Sequence, residues 1–244
     1  MYENINNDKF SNYNKINFFN KYIFQFYSKM EESMEETGKK YGIDLKIIIV
    51  GDLSAGKTSI LNRYINEKFD PKNKATIAPE FSYKIIKSND VIFRIQFWDI
   101  PGQNKNPELT GVFCRDTQGI IFCTEVKNKN SRENIKKWED SLKLYNDIKN
   151  IPKILIENKC DLLGDESHYD DDFEQLKNFS NEHDFLGCFR TSALNGYNID
   201  KAINFFIDQI IKTVNEEDIQ YYNSKIKMDS TFQSENTKNK NRCC

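Results

Sequence analysis

The chain has 244 residues, 38% of them hydrophobic and 30% charged, with a formal net charge of −2. That near-neutral balance gives no electrostatic case for nucleic acid, and the length suits one sizeable domain with tails better than two. No run approaches the roughly 18 apolar residues of a membrane span, and the N-terminus lacks a secretory leader's basic start, apolar middle and small-residue cleavage site. A cytoplasmic protein is therefore expected. Cys114, Cys123, Cys160 and Cys188 are scattered through apolar segments with neither metal-type spacing nor a secreted disulfide pattern, so free thiols are expected. Cys243 and Cys244 end the chain behind a polar, basic stretch and cannot be packing residues.

Residues 1–43 are rich in Asn, Lys and Glu, with Ile16, Phe19, Ile23, Phe26, Tyr27, Met30 and Met34 at near-helical spacing. An amphipathic helix and a disordered extension both remain open there. From Asp44 to Asn215 short apolar runs alternate with longer amphipathic ones, which is α/β rhythm. Strands are predicted at Leu45 to Val50, Ser82 to Ile86, Val91 to Trp98, Gly119 to Thr124, Lys153 to Glu157 and Gly187 to Thr191. Ile85 to Phe93 reads as an antiparallel hairpin turning at Ser88, Asn89 and Asp90. Helices are predicted at Thr58 to Asn66, Ser131 to Tyr145, Asp171 to His183 and Ile199 to Val214, the last with Ala202, Ile203, Phe206 and Ile210 on one face. Residues 216–244 turn polar again and read as a flexible tail.

Three motifs carry the chemistry. Gly51 to Thr58 read GDLSAGKT, the G-x-x-x-x-G-K-[ST] loop, directly after an apolar strand and before a helix-forming segment. Its backbone N–H groups can converge on phosphates, Lys57 adds a point charge, and the Thr58 hydroxyl suits Mg2+. The loop alone leaves kinases, ATPases and GTPases open. Asp99 to Gln103 (DIPGQ) then place a carboxylate beside the expected metal, a glycine N–H for a terminal phosphate, and a Gln able to orient water. Asn158 to Asp161 (NKCD) follow a predicted strand, and the Asp161 carboxylate can accept from the ring N–H and exocyclic amine that guanine has and adenine lacks. Downstream, Thr191, Ser192, Ala193 and Leu194 can bring a backbone N–H to the guanine carbonyl.

In this order and at these separations, the motifs resemble those of the Ras-superfamily small GTPases over roughly Leu45 to Val214. The resemblance implies a P-loop small GTPase fold: an α/β architecture with a six-stranded, mostly parallel sheet, one antiparallel edge strand and helices on both faces. It implies GTP or GDP held by Gly51, Asp52, Leu53, Ser54, Ala55, Gly56, Lys57, Thr58 and Ser59, by Phe69, Thr76, Asp99 and Gly102, and by Asn158, Lys159, Asp161, Ser192, Ala193 and Leu194. Mg2+ would rest on Thr58, Thr76 and, through water, Asp99, with Gln103, Lys57 and Gly102 serving hydrolysis.

Ala75 to Ile85 (ATIAPEFSYKI), Phe97 to Asp99 (FWD) and the terminal Cys-Cys look like Rab proteins, in which the positions of Phe81, Trp98 and Phe113 form an effector-reading surface. Core packing is the alternative reading of those three aromatics. Leu53, Ile100 and the Lys136 to Leu142 segment (KKWEDSL) are similar to the Rab branch linked to lysosome-related organelles. Resemblance to Rabs implies paired prenylation of Cys243 and Cys244, a cytoplasmic-face endomembrane location, and an exchange factor, a GAP, prenylation machinery and a GDP-dissociation inhibitor as partners. Basic residues Lys225, Lys227, Lys238, Lys240 and Arg242 either attract anionic lipid or simply solvate the tail.

Departures from the pattern bear on hydrolysis. Leu53 and Ser54 stand where Ras proteins have glycine, and Pro101 replaces the usual alanine, restricting Ile100 as well as itself. Ala78, Pro79, Phe113 and Cys114 also depart, on partner-facing surfaces. Two functions follow as rivals: a GTP-hydrolysing switch, and a GTP-binding adaptor with little or no hydrolysis. A P-loop kinase is the third, and would need an arginine-bearing lid and acceptor pocket that the sequence does not display.

Overall fold

The computed structural model describes residues 42–103, 113–144, 148–170 and 172–226. The possible helix over residues 16–34, the basic residues from Lys227 onward, and Cys243 and Cys244 lie outside them. Six strands are present: β1 (Ile43–Val50), β2 (Glu80–Ser88), β3 (Val91–Asp99), β4 (Gly119–Glu125), β5 (Lys153–Asn158) and β6 (Cys188–Arg190). They form one sheet in the order β2-β3-β1-β4-β5-β6. Only β2 and β3 pair antiparallel; every other neighbouring pair is parallel, as the sequence led us to expect. The hairpin turns at Asn89 and Asp90, both at positive φ, a conformation these short polar side chains tolerate.

Ile47, Ile48, Ile49 and Val50 are all at most 1% exposed. Successive strand residues point to opposite faces, so burial of all four means that β1 is covered on both sides. Cover comes from α1 (Lys57–Asn66), α2 (Lys129–Glu133), α3 (Ile135–Lys143), α4 (Phe173–Glu182) and α5 (Ile199–Ile211). On α5, Ala202, Ile203, Phe206, Ile207 and Ile210 form the buried stripe that 3.6-residue periodicity predicts. Tyr64 of α1 meets Phe97 of β3 edge-on, with ring centroids 5.7 Å apart, and its hydroxyl donates to Asn204 Oδ1 of α5 at 2.7 Å. Cys114, Cys123, Cys160 and Cys188 are free thiols, and burial pushes Cys123 and Cys160 up to about 12, which keeps them unreactive.

Two elements differ from expectation. The single helix predicted from Ser131 is two, α2 and α3, meeting at Asn134, whose side chain is drawn to the loop after β1. The expected flexible tail begins with a helix over residues 216–226. Asn215 caps it, accepting from the Asp218 N–H at 2.7 Å, and three acidic residues in its first turn suit the helix dipole. Its Tyr222 is 4% exposed, and the Tyr222 hydroxyl accepts from the Ile92 N–H of β3 at 3.1 Å. One buried ring thus orders a segment that composition alone reads as polar.

Because that ring is the helix's buried anchor, Tyr222→Ala is expected to lower unfolding stability by about 3 kcal/mol. Urea denaturation of the full chain measures it; an unchanged midpoint would show that the helix does not dock.

Candidate guanine-nucleotide site

All strands except β2 run parallel, so the loops after β1, β3, β4, β5 and β6 emerge along one edge of the sheet. There a cavity of about 390 Å3 is lined by Leu53, Ser54, Gly56, Lys57, Thr58 and Ser59 from the first loop, with Phe69, Thr76 and Gly102. Asn158, Lys159, Asp161, Ala193 and Leu194 complete its far wall. Residues expected from widely separated motifs therefore share one concavity. Asp70, Pro71, Asn73 and Lys74 also line it and carried no motif by which the sequence could have pointed to them, and Ala75, which opens the ATIAPEFSYKI segment, lines it too.

Lys57 opens α1 and is 5% exposed, with its ammonium donating to the Gly51 and Asp52 carbonyls, each at 2.9 Å. Two of its three donors thus curl the loop around it. Burial lowers the Lys57 pKa, opposed by the nearby Cys123, Asp99 and Asp52. Gly56, the residue before α1, has φ 96°, and a Cβ there would lie 2.2 Å from Asn158 Nδ2. Only glycine allows both that backbone conformation and that approach.

Asn158 joins three loops. Its amide donates to the Ala55 carbonyl at 3.0 Å, while Oδ1 accepts from Thr191 Oγ1 and from the Ala193 N–H, each at 3.2 Å. The sequence reading gave Asn158 a share in holding the base and the neighbouring loop; these three bonds tie the loops together. Asp161 accepts from Ser192 Oγ, and Lys159 pairs with Glu125 Oε2 at 3.0 Å. Beneath them Glu157 is 1% exposed between Arg190, 2.9 Å away, and Arg132, so the ends of β5 and β6 are tied by charge-assisted bonds.

At the opposite end Thr58 and Thr76 hydroxyls lie 2.8 Å apart, and both bond Asp99 Oδ2, Thr76 at 3.3 Å. Asp99 is 3% exposed, and its Oδ1 is buried without a hydrogen-bond partner among the described residues. Burial raises the Asp99 pKa, while Thr58 and Lys57 pull it down and Glu80 raises it further. A carboxylate and two hydroxyls are hard oxygen donors of the kind Mg2+ takes. Among the described residues no cluster of three or more His, Cys, Asp or Glu could hold a metal. An ion here would therefore need oxygens from phosphate and water to complete its shell.

The DIPGQ segment divides. Gly102 rests on the first loop so closely that a Cβ would lie 2.4 Å from the Leu53 nitrogen and 2.6 Å from Leu53 Cα. Leu53 is 39% exposed and lines the cavity, whereas Gln103 is exposed and lies off its wall. Ser54 sits at φ 65°, a strained position that glycine would occupy without penalty. Asp52 points away from the cavity: its carboxylate accepts from Asn134 Nδ2 at 2.8 Å and Trp138 Nε1 at 3.1 Å.

Phe81, Trp98 and Phe113 form a continuous ladder, with centroids 5.6 Å apart at each step. Trp98 and Phe113 are 8% and 6% exposed and so are largely core, while Phe81 is half-buried. Lys46 Nζ lies 4.6 Å from the Trp98 ring centroid, a cation–π contact the sequence reading did not include.

The Ras family model matches residues 46–212. Human Ras-related protein Rab-32 is 32% identical over 207 residues, covering 82% of this chain and 88% of the relative. Rab-32A of Dictyostelium discoideum is 35% identical over 172 residues, covering 68% and 78% respectively. Human Ras-related protein Rab-7L1 is 31% identical over 176 residues, covering 70% and 85%. With a phosphate loop at one end of its cavity and NKCD at the other, the chain belongs to the Ras family of small GTPases, in the Rab group alongside Rab-32.

Proposed function

We propose that the protein is a membrane-tethered Rab switch that binds GTP with Mg2+, recruits effectors while GTP is bound, and is reset by hydrolysis to GDP. One observation carries the reading: a single cavity joins Lys57, Thr58 and Thr76 to Asn158, Lys159 and Asp161, a phosphate end and a base end. The Asp161 carboxylate would take the two guanine N–H donors, bonds that a base lacking those donors could not make. Phe69, half-buried on the wall, supplies an aromatic face for the base.

Thr58, Thr76 and Asp99 would hold Mg2+, whose charge supplies the neutralisation that the β- and γ-phosphate oxygens need. Lys57 adds its own charge at the same oxygens, and the Gly102 N–H approaches the terminal phosphate. Gln103 orients a water in line with the γ-phosphorus; the new P–O bond forms as the bond to the bridging oxygen breaks, leaving GDP and phosphate. Because Leu53 occupies the wall and Gln103 stands off it, positioning is incomplete and intrinsic turnover is slow. A GAP and an exchange factor follow from that, and the segment from Thr76 to Phe81 is the surface on which an effector reads the GTP state. Ile77 within it is 95% exposed, an apolar side chain offered to a partner.

The GTPase domain spans residues 44–215, and prenylation of Cys243 and Cys244 by the Rab machinery, with a GDP-dissociation inhibitor to extract the lipidated form, tethers it to an endomembrane. No helix among the described residues is long and apolar enough to cross a membrane. The rival reading, a GTP-binding adaptor, is favoured by the same crowding of the wall by Leu53.

Single-turnover hydrolysis of bound GTP separates the two readings. Measurable conversion to GDP is expected, accelerated about tenfold by Leu53→Gly, equivalent to about 1.4 kcal/mol of barrier. Tight GTP binding with conversion at background, in the parent and in Leu53→Gly, would establish the adaptor instead.

A second test addresses the metal. Because burial raises the Asp99 pKa, its ionised form costs stability near neutral pH, and a cation beside it offsets that cost. Asp99→Asn is therefore expected to raise the nucleotide-free melting temperature. In the same variant Mg2+ should no longer add to the stabilisation given by GDP. Equal Mg2+ increments in parent and variant would remove Asp99 from the metal site.

A further inference from the structure

We infer that Arg63 is a positioning residue for the guanine end of the cavity, and that it governs how long guanine nucleotide stays bound. The inference rests on the guanine-nucleotide reading above and concerns a residue outside all of the motifs. Arg63 lies on α1, six residues and roughly 9 Å of helix beyond Lys57, so it is remote from the phosphate end. Its guanidinium donates from Nε to the Ala193 carbonyl at 3.0 Å and from Nη2 to the Leu194 carbonyl at 2.6 Å. A third bond, from Nη1 to the Glu67 carbonyl at 3.1 Å, fixes the fork against its own helix.

Ala193 and Leu194 are wall residues of the cavity. Asn158 holds this loop through Thr191 and the Ala193 N–H, and Arg63 holds it through two successive carbonyls. A trans peptide points its C=O and its N–H in opposite directions. By anchoring the Ala193 carbonyl, Arg63 thereby sets the direction of the Leu194 N–H on the other edge of that peptide plane. Beyond Leu194 the loop is held by other partners, the Asn195 N–H reaching Ser192 Oγ at 3.4 Å and the Asn195 amide donating to the Tyr169 hydroxyl at 3.0 Å, so the Leu194 N–H is the part of the wall that Arg63 directs. Lysine would keep the charge but offer a single flexible ammonium in place of a planar fork, so Arg63→Lys isolates the positioning role.

The test is dissociation of a fluorescent GDP analogue from the full chain, chased with excess GDP, for the parent, Arg63→Lys and Arg63→Ala, each in Mg2+ and in EDTA. Tight binding by the parent tests the nucleotide reading by itself; the variants test Arg63. Both variants are expected to release the analogue about tenfold faster in Mg2+, while chelation accelerates release by the same factor in all three proteins. Equal factors mean that the metal end, held by Thr58, Thr76 and Asp99, is untouched and only the base end has loosened. Unchanged release in Arg63→Lys overturns the inference, and so does a chelation factor that collapses in the variants, since Arg63 would then act through α1 and the phosphates. Should Arg63→Ala fail to fold, Arg63→Lys alone decides.

Discussion

The amide of Asn158 is the constraint on which the rest of the site depends. Ala55 precedes the phosphate-binding glycine, while Thr191 and Ala193 follow β6; one buried side chain bonds all three. Gly56 is bound to the same constraint, because any Cβ would occupy the space of that amide. Two motifs separated by about a hundred residues are thus a single steric and hydrogen-bonded unit. A buried amide with its donor and acceptor sides both used is costly to disturb, which is why it can set the distance between a phosphate end and a base end.

Charge is distributed unequally across that distance. At the base end it is compensated by protein: Glu157 lies between Arg190 and Arg132, and Lys159 faces Glu125. The phosphate end instead leaves Lys57 and Asp99 buried with shifts against their charged forms, each opposed by the other's charge. Such an end suits a ligand that brings its own charges, as the proposed phosphate and divalent cation would. The phosphate loop has further restraint from behind, where Asp52 is held by Asn134 and Trp138.

What the sequence disclosed followed the range of the interactions involved. Strands β1, β4 and β5 were legible because continuous runs of Ile, Leu, Val and Phe admit little else, β3 because its apolar residues alternate with Arg94 and Gln96, and the phosphate loop and NKCD because their chemistry is fixed by residues within a few positions. Asn134 was not legible as a helix break: its partner Asp52 is eighty-two residues away, and nothing local distinguishes it from a surface asparagine. The helix at 216–226 was missed for the same reason, since its order rests on Tyr222 meeting Ile92. Trp98 and Phe113 illustrate the converse. Their identity as aromatics was evident, yet only the packing revealed that they are mostly core, leaving Phe81 as the more accessible rung.

The central claim is that this cavity selects guanine nucleotides through the wall that Asn158 assembles. Thermal unfolding of the full chain with Mg2+ and either GTP or ATP, each at the same concentration, tests it most directly. GTP at about one hundred times its Kd should raise the midpoint by about 5–10 °C, from roughly 2.7 kcal/mol of linkage, with ATP giving little or no shift. An ATP shift equal to or larger than that of GTP would contradict the account.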